Sequence, residues 1–151
     1  MSYKFFWDGP FSNWYPAKFI YEGHAFCNSE QAFMWEKAMF FDDKMTAARI
    51  LNEPRPREVK NLGREVQGYV DAEWAKVRVE YMYHVCLAKF TQNEKLRYEL
   101  LKYDNYVEAS PKDRLWGIGM KEGTPGIEDP RNWKGQNLLG QVLNRVREAI
   151  K

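Results

Sequence analysis

The chain has 151 residues, 44% apolar and 16% aromatic, with six Trp and nine each of Tyr and Phe. That length makes residues 1–151 a single domain with a sizeable core, and a net charge of only +2 with both signs interspersed excludes the strong electrostatic footprint of a dedicated nucleic-acid binder. Two cysteines, Cys27 and Cys86, do not make a disulfide framework and fit a reducing compartment; with no signal peptide and no long apolar run, a cytoplasmic protein away from membranes is expected.

In chain order, Tyr3 to Trp7 reads as a short aromatic strand turned by Asp8-Gly9-Pro10. Phe11 to Pro16 is an aromatic loop in which Asn13 offers a two-way amide beside stacking surfaces; the same residue also suits an Asx turn. Lys18 to Tyr21 and His24 to Phe26, joined by Glu22-Gly23, form a hairpin. Asn28 then caps a helix running to Phe41, with Gln31 at the capping-box position.

This helix organises the reading of the rest. At about 100° per residue, the arc centred on Glu30 holds Met34, Ala38, Phe33, Phe40 and Phe41, and Lys37 lies roughly 20° from Glu30. A carboxylate and an ammonium thus interrupt an apolar stripe, where a buried charge costs several kcal/mol unless it is paired or hydrogen-bonded. The two are roughly 10 Å apart along the axis, too far to pair directly. Partners elsewhere in the core would make them a structural network; the functional alternative is that this face floors a polar pocket.

Met45 to Leu51 is expected to be a short helix, broken by Asn52 to Pro56. A second segment from Arg57 to Val66 carries Lys60 and Arg64 on one face and Gly63 within it. Asp71 is placed as the cap of a long helix to Thr91, with Trp74, Val77, Tyr81, Val85 and Ala88 as its apolar face and Arg78 beside Trp74. Helices from Glu94 to Tyr103 and from Asn137 to Ile150 enclose an extended run at Tyr106 to Ala109 and a Gly/Pro-rich loop at Lys121 to Lys134.

Asp113-x-x-Trp116-Gly117-x-Gly119, with Glu108 just upstream, puts an acid and a large ring beside glycines that bring backbone N–H groups close to a ligand. The spacings of His24 with Cys27 and of His84 with Cys86 fit no standard zinc site, and no P-loop, paired-His or Ser-elbow motif occurs. No metal and no cofactor are expected. Cys86 reads as a small buried hydrophobe.

Taken together, these stretches resemble the NADAR superfamily, also called YbiA-like. The resemblance rests on Phe11-Ser-Asn13; Ser29-Glu30 with Phe33 and Lys37; Lys60-x-x-Gly63-Arg64 with Val66; Trp74; and Lys89-Phe90 with Asn93 and Leu96. It continues through Glu108, Asp113-x-x-Trp116-Gly-x-Gly119 and Gly135-x-Asn137-x-Leu-Gly140. The chain departs from the family in lacking long insertions and in its aromatic-rich start. The resemblance implies a single compact, mainly helical α+β domain with a few short N-terminal strands and a polar pocket.

It also implies an N-glycosidase. Some members hydrolyse the ribosylamine C–N bond of phosphorylated riboflavin-pathway intermediates; others remove ADP-ribose from guanine in DNA. Glu30, Asp113 and Lys37 are then the expected catalytic residues. Trp74, Trp116, Asn13, Arg64, Lys60, Gly117, Gly119, Glu108 and Asn137 are the expected substrate contacts. The preferred substrate is a phosphoribosylamino-pyrimidine. A DNA-directed hydrolase, for which nucleic acid is only the carrier of the modified base, would want a basic rim. A non-catalytic ADP-ribose or NAD-type reader would not need acids on an apolar face.

Overall fold

The computed structural model describes residues 2–151 and gives an α+β, mainly helical chain with short strands in two small sheets. No described helix is long and apolar enough to cross a membrane. The chain divides into two compact units: Asn13–Asn93, and residues 2–12 together with Glu94–Lys151.

In Asn13–Asn93, strands β2 (Phe19–Tyr21) and β3 (His24–Phe26) pair antiparallel, with Tyr21 opposite His24. Glu22 and Gly23 both have positive φ, 50° and 79°, the backbone that a two-residue hairpin of matching twist requires. The inward rings of Phe19, Tyr21 and Phe26 meet helix α1 (Ser29–Phe40) through Trp35.

Helix α1 begins as its sequence dictates: the Asn28 side chain accepts from the Gln31 N–H at 2.8 Å. Gln31 reaches one residue further back than a standard capping box, accepting from Cys27 N at 2.8 Å. Its amide nitrogen donates to the carbonyls of Ile50 and Glu53, at 2.9 and 3.1 Å. It thereby ties the start of α1 to the end of helix α2 (Lys44–Leu51). Helix α3 (Pro56–Arg64) starts with proline in its first turn and crosses α1 where a Cβ on Gly63 would run into Met34 Sδ.

The deepest face of α1 is not the arc centred on Glu30. Its buried residues are Ser29, Gln31, Ala32, Phe33, Trp35, Glu36 and Ala38, while Glu30, Met34, Lys37 and Phe41 are only half-buried. Beside Phe33 and Trp35, small or polar side chains fill the buried side, which blurs an apolar periodicity count. Glu36 is held there by the Tyr21 hydroxyl, which donates to Oε1 at 2.6 Å. Burial raises the Glu36 carboxyl above its ordinary range although the Tyr21 bond pulls the other way, and burial also raises the Tyr21 phenol.

Helix α4 (Asp71–Thr91) places Val70 at its N-cap, so Asp71 is the first helical residue and not the cap. Its carboxylate instead accepts from the Tyr69 hydroxyl at 2.6 Å. The core side of α4 carries Trp74, Met82, Val85, Cys86, Lys89 and Phe90, whereas Val77 and Tyr81 are half-buried. Lys89 is 1% exposed, and desolvation lowers its ammonium to about 8. Cys27 and Cys86 are both free thiols.

In the other unit, β1 (Lys4–Phe6) runs parallel to β4 (Tyr106–Glu108), with Phe6 opposite Glu108. Helix α5 (Glu94–Leu100) ends a turn earlier than its sequence suggests. Helix α6 (Leu138–Ile150) lays Leu139, Val142, Leu143, Val146 and Ile150 toward the core and packs on β4.

Asn137, just ahead of α6, is buried in the left-handed region at φ 53°. Its amide acts as a substitute strand: Nδ2 donates to Tyr106 O at 3.0 Å, and Oδ1 accepts from Glu108 N at 2.9 Å. Both ends of the amide are therefore engaged with β4.

Two outcomes are expected. Tyr21→Phe leaves the Glu36 carboxylate buried without its donor, so stability at pH 7 should fall by about 1–3 kcal/mol. A folded-state pKa already raised, and raised further without the hydroxyl, means protons favour the fold as pH drops through it. The deficit in thermal unfolding should therefore shrink between pH 7 and pH values close to about 4.5. Asn137→Ala strands a buried N–H and a buried carbonyl on β4, and denaturant titration should show a loss of at least about 2 kcal/mol.

Candidate active site

Within Asn13–Asn93, the sequence-predicted residues gather at the start and along the half-buried side of α1. Asn13 docks on the first turn: its carbonyl accepts from Glu30 N at 3.0 Å, its Oδ1 from Ser29 Oγ at 2.9 Å, and its Nδ2 faces Met82 Sδ at 3.7 Å. Asn13 and the Ser29-Glu30 stretch thus form one joint, in which the backbone carbonyl of Asn13 positions the residue carrying the carboxylate. Glu30 lies in the first turn of α1, where the helix dipole favours a negative charge.

Lys37, two turns along, donates from Nζ to Gly63 O at 2.8 Å and sits 4.5 Å above the centre of the Tyr69 ring. Loss of water pushes its ammonium below the ordinary lysine range. The Glu30 charge opposes this, the Arg64 charge adds to it, and Asp71 opposes it. Glu30 and Lys37 are therefore in each other's field without a direct pair, as helix geometry requires.

Trp74 is buried and enclosed by rings: Phe33 at 5.4 Å, Phe40 at 5.7 Å, and Tyr81 stacked at 5.8 Å with a 20° interplanar angle. It is a wall, with one face already taken by Tyr81. Lys60 and Arg64 lie exposed on α3; only Arg64 comes within range of the Lys37 charge.

The unit containing Glu94–Lys151 gathers the second group. Asp113 Oδ1 accepts from Leu115 N at 2.9 Å and Trp116 N at 2.8 Å, and Asp113 N donates to Ser110 Oγ at 3.1 Å. The carboxylate is thus fixed by an Asx turn. Gly119 N donates to Asp113 O at 3.1 Å, which spends that N–H inside the turn, while Ile118 N donates to Glu108 O at 2.9 Å. A Cβ on Gly117 would lie 3.0 Å from Glu108 Oε2 and 2.9 Å from Glu108 O, so glycine there lets the Glu108 carboxylate lie against the turn. Trp116 is half-buried beside it. Asn137 bonds to the same strand, as described above, and its N–H donates to Gly117 O at 3.1 Å.

Sequence reasoning missed Tyr69 and the burial of Glu36. A tyrosine two residues ahead of a helix-starting aspartate was the available signal for the first. The second had none short of the tertiary pairing.

A family model described as the NADAR domain matches residues 5–151. Protein irg-1 of Caenorhabditis elegans is 42% identical over 129 residues, covering 83% of this chain, which spans only 61% of that relative. N-glycosidase R617 of Acanthamoeba polyphaga mimivirus is 36% identical over 146 residues, 91% of this chain and 85% of its own length. Riboflavin biosynthesis protein VVA0006 of Vibrio vulnificus is 30% identical across 95% of this chain, which matches 36% of it. The NMR structure of the E. coli protein YbiA superposes with a TM-score of 0.80 at 27% identity, over 99% of this chain and 84% of that one. Matched in sequence almost from end to end and in backbone to YbiA, the chain belongs to the NADAR domain family.

Proposed function

We propose that the chain is a hydrolase of the N-glycosidase type that cleaves a ribose C1′–N bond, with phosphorylated ribosylamino-pyrimidines of the riboflavin-biosynthesis kind as substrate. The observation that carries the reading is the half-buried side of α1, where Glu30 and Lys37 stand two turns apart and each feels the other's charge. Relatives named N-glycosidase and riboflavin biosynthesis protein support the reaction and the substrate class respectively.

The chemistry asks for three things: stabilisation of positive charge at C1′, activation of water, and a route for the departing nitrogen. Glu30 faces the anomeric carbon as base for water or as electrostatic partner of the developing cation. A ribosylamine opens to an imine at C1′. The neutral Lys37 amine adds to that carbon, its two protons pass to the pyrimidine nitrogen, and the C1′–N bond breaks to release the pyrimidine amine as the Lys37 Schiff base forms; water then hydrolyses the Schiff base and returns the lysine amine. Desolvation of Lys37 supplies the neutral form. Arg64 faces the phosphate. Hydrolysis of this bond requires no cofactor.

Chromatography after incubation with a ribosylamino-pyrimidine phosphate, NAD, ADP-ribose and ADP-ribosylated DNA should show release of the free amine from the first alone. No turnover of it would overturn the substrate assignment. Glu30→Gln should fold normally and lose at least about a hundredfold in rate, and full activity would remove Glu30 from the chemistry. Borohydride added during turnover should leave a reduced sugar adduct on Lys37. The rate of that trapping should rise with pH through a pKa below the ordinary lysine value, because only the deprotonated amine attacks. Absence of an adduct by mass spectrometry would leave Lys37 a binding residue.

A further inference from the structure

We propose that Arg78, on α4, is the principal contact for the phosphate of the substrate, a role that rests on the N-glycosidase reading and goes beyond the α3 cations. Arg78 and Arg147 make an instructive pair. Their side chains are equally withdrawn, at 18% and 17% exposed, and each has a buried Nε with no acceptor among the described residues. Arg147 compensates with two carboxylates, Asp104 at 3.0 Å and Glu148 at 3.3 Å. Among the described residues, Arg78 has only Asp71, at 4.0 Å.

That one partner is weak for two reasons. The Asp71 carboxylate is 76% exposed, and the oxygen nearest Arg78 already accepts the Tyr69 hydroxyl at 2.6 Å. An exposed pair at the limit of contact neutralises little of the guanidinium. Withdrawing such a group from water while leaving a donor unmet is costly in the free protein, and an incoming anion offsets that cost.

The position fits the chemistry. A chain of contacts runs from Lys37 Nζ over the Tyr69 ring, through the Tyr69 hydroxyl to Asp71, and from Asp71 to Arg78. Arg78 also shares its face of α4 with Trp74, one turn earlier. The charges interacting along this chain are Lys37, Arg64 and Arg78 against Glu30 and Asp71, three cations to two carboxylates. The surplus is positive, and the guanidinium fork, unlike an ammonium, engages two phosphate oxygens at once. Lys60 and Arg64 are exposed on α3, where salt screens a phosphate contact; Arg78 is set back from solvent, where it does not.

The test compares ribose 5-phosphate with ribose as ligands of the full chain, by titration calorimetry or chemical-shift titration. The wild-type protein should prefer the phosphorylated sugar by at least about tenfold, the usual scale of a charge-assisted bond. Arg78→Met should bind ribose with unchanged affinity and lose that preference. No preference in the wild type, or a preference kept in Arg78→Met, would overturn the assignment, as would an equal loss for both sugars. Should Arg78→Met fail to fold, Arg78→Gln keeps a polar side chain without the charge and is read by the same two outcomes. Turnover is scored separately: a preference abolished at Arg78 in a protein that hydrolyses no ribosylamine would keep the phosphate site and reject the hydrolase reading.

Discussion

Everything proposed for α1 depends on how firmly its first turn is anchored. Three side-chain amides do this work. Asn28 caps the helix and donates to Pro54 O at 3.0 Å; Gln31 bonds back to Cys27 and across to Ile50 and Glu53; Asn13 accepts from Ser29 Oγ through its Oδ1, beside its own backbone carbonyl, which takes the Glu30 N–H. The Asn28 and Gln31 amides each serve as donor and acceptor at once, and so lock backbone segments that no regular sheet or helix joins. Glu30 is the residue held in the middle of this joint.

Along the same helix, electrostatics is arranged by partial and not complete burial. Lys89, wholly enclosed, shows what full desolvation does to an ammonium in this protein. Lys37 is treated more gently: it keeps a carbonyl and an aromatic face, both of which favour the cation, while losing enough water to be pushed the other way. Groups that change protonation during a reaction need such a balance, because a lysine held too firmly in either form cannot pass through the other.

Much of this was legible in the amino-acid string. Asn28, Glu22-Gly23 and the leucine-valine spacing of α6 each carry a local rule, and each element formed where its rule placed it, whereas Pro56, read as part of a break, proves to be the first residue of α3. The Glu30–Lys37 relation was legible for the same reason, since the rise of a helix fixes it. What was not legible depends on distant partners. Alongside Phe33 and Trp35, the deep face of α1 carries Ala32, Gln31 and Glu36, which give little apolar signal and are buried because α2, α3, α4 and β3 pack on the helix. Asp71 looked like a cap because the one nearby signal, a tyrosine two residues earlier, does not say that its hydroxyl will claim the carboxylate. The setting of Arg78 followed from that same misplaced acid.

Gly63 links these levels. Its missing side chain is what allows α3 to rest against Met34, and its carbonyl is what receives Lys37. Positions 34 and 63 consequently cannot drift independently through evolution: a bulkier residue at one demands a shorter one at the other, or the two helices part. Because the lysine hangs from the same peptide, any such separation would be felt first as a retuned amine, well before it registered as a lost fold.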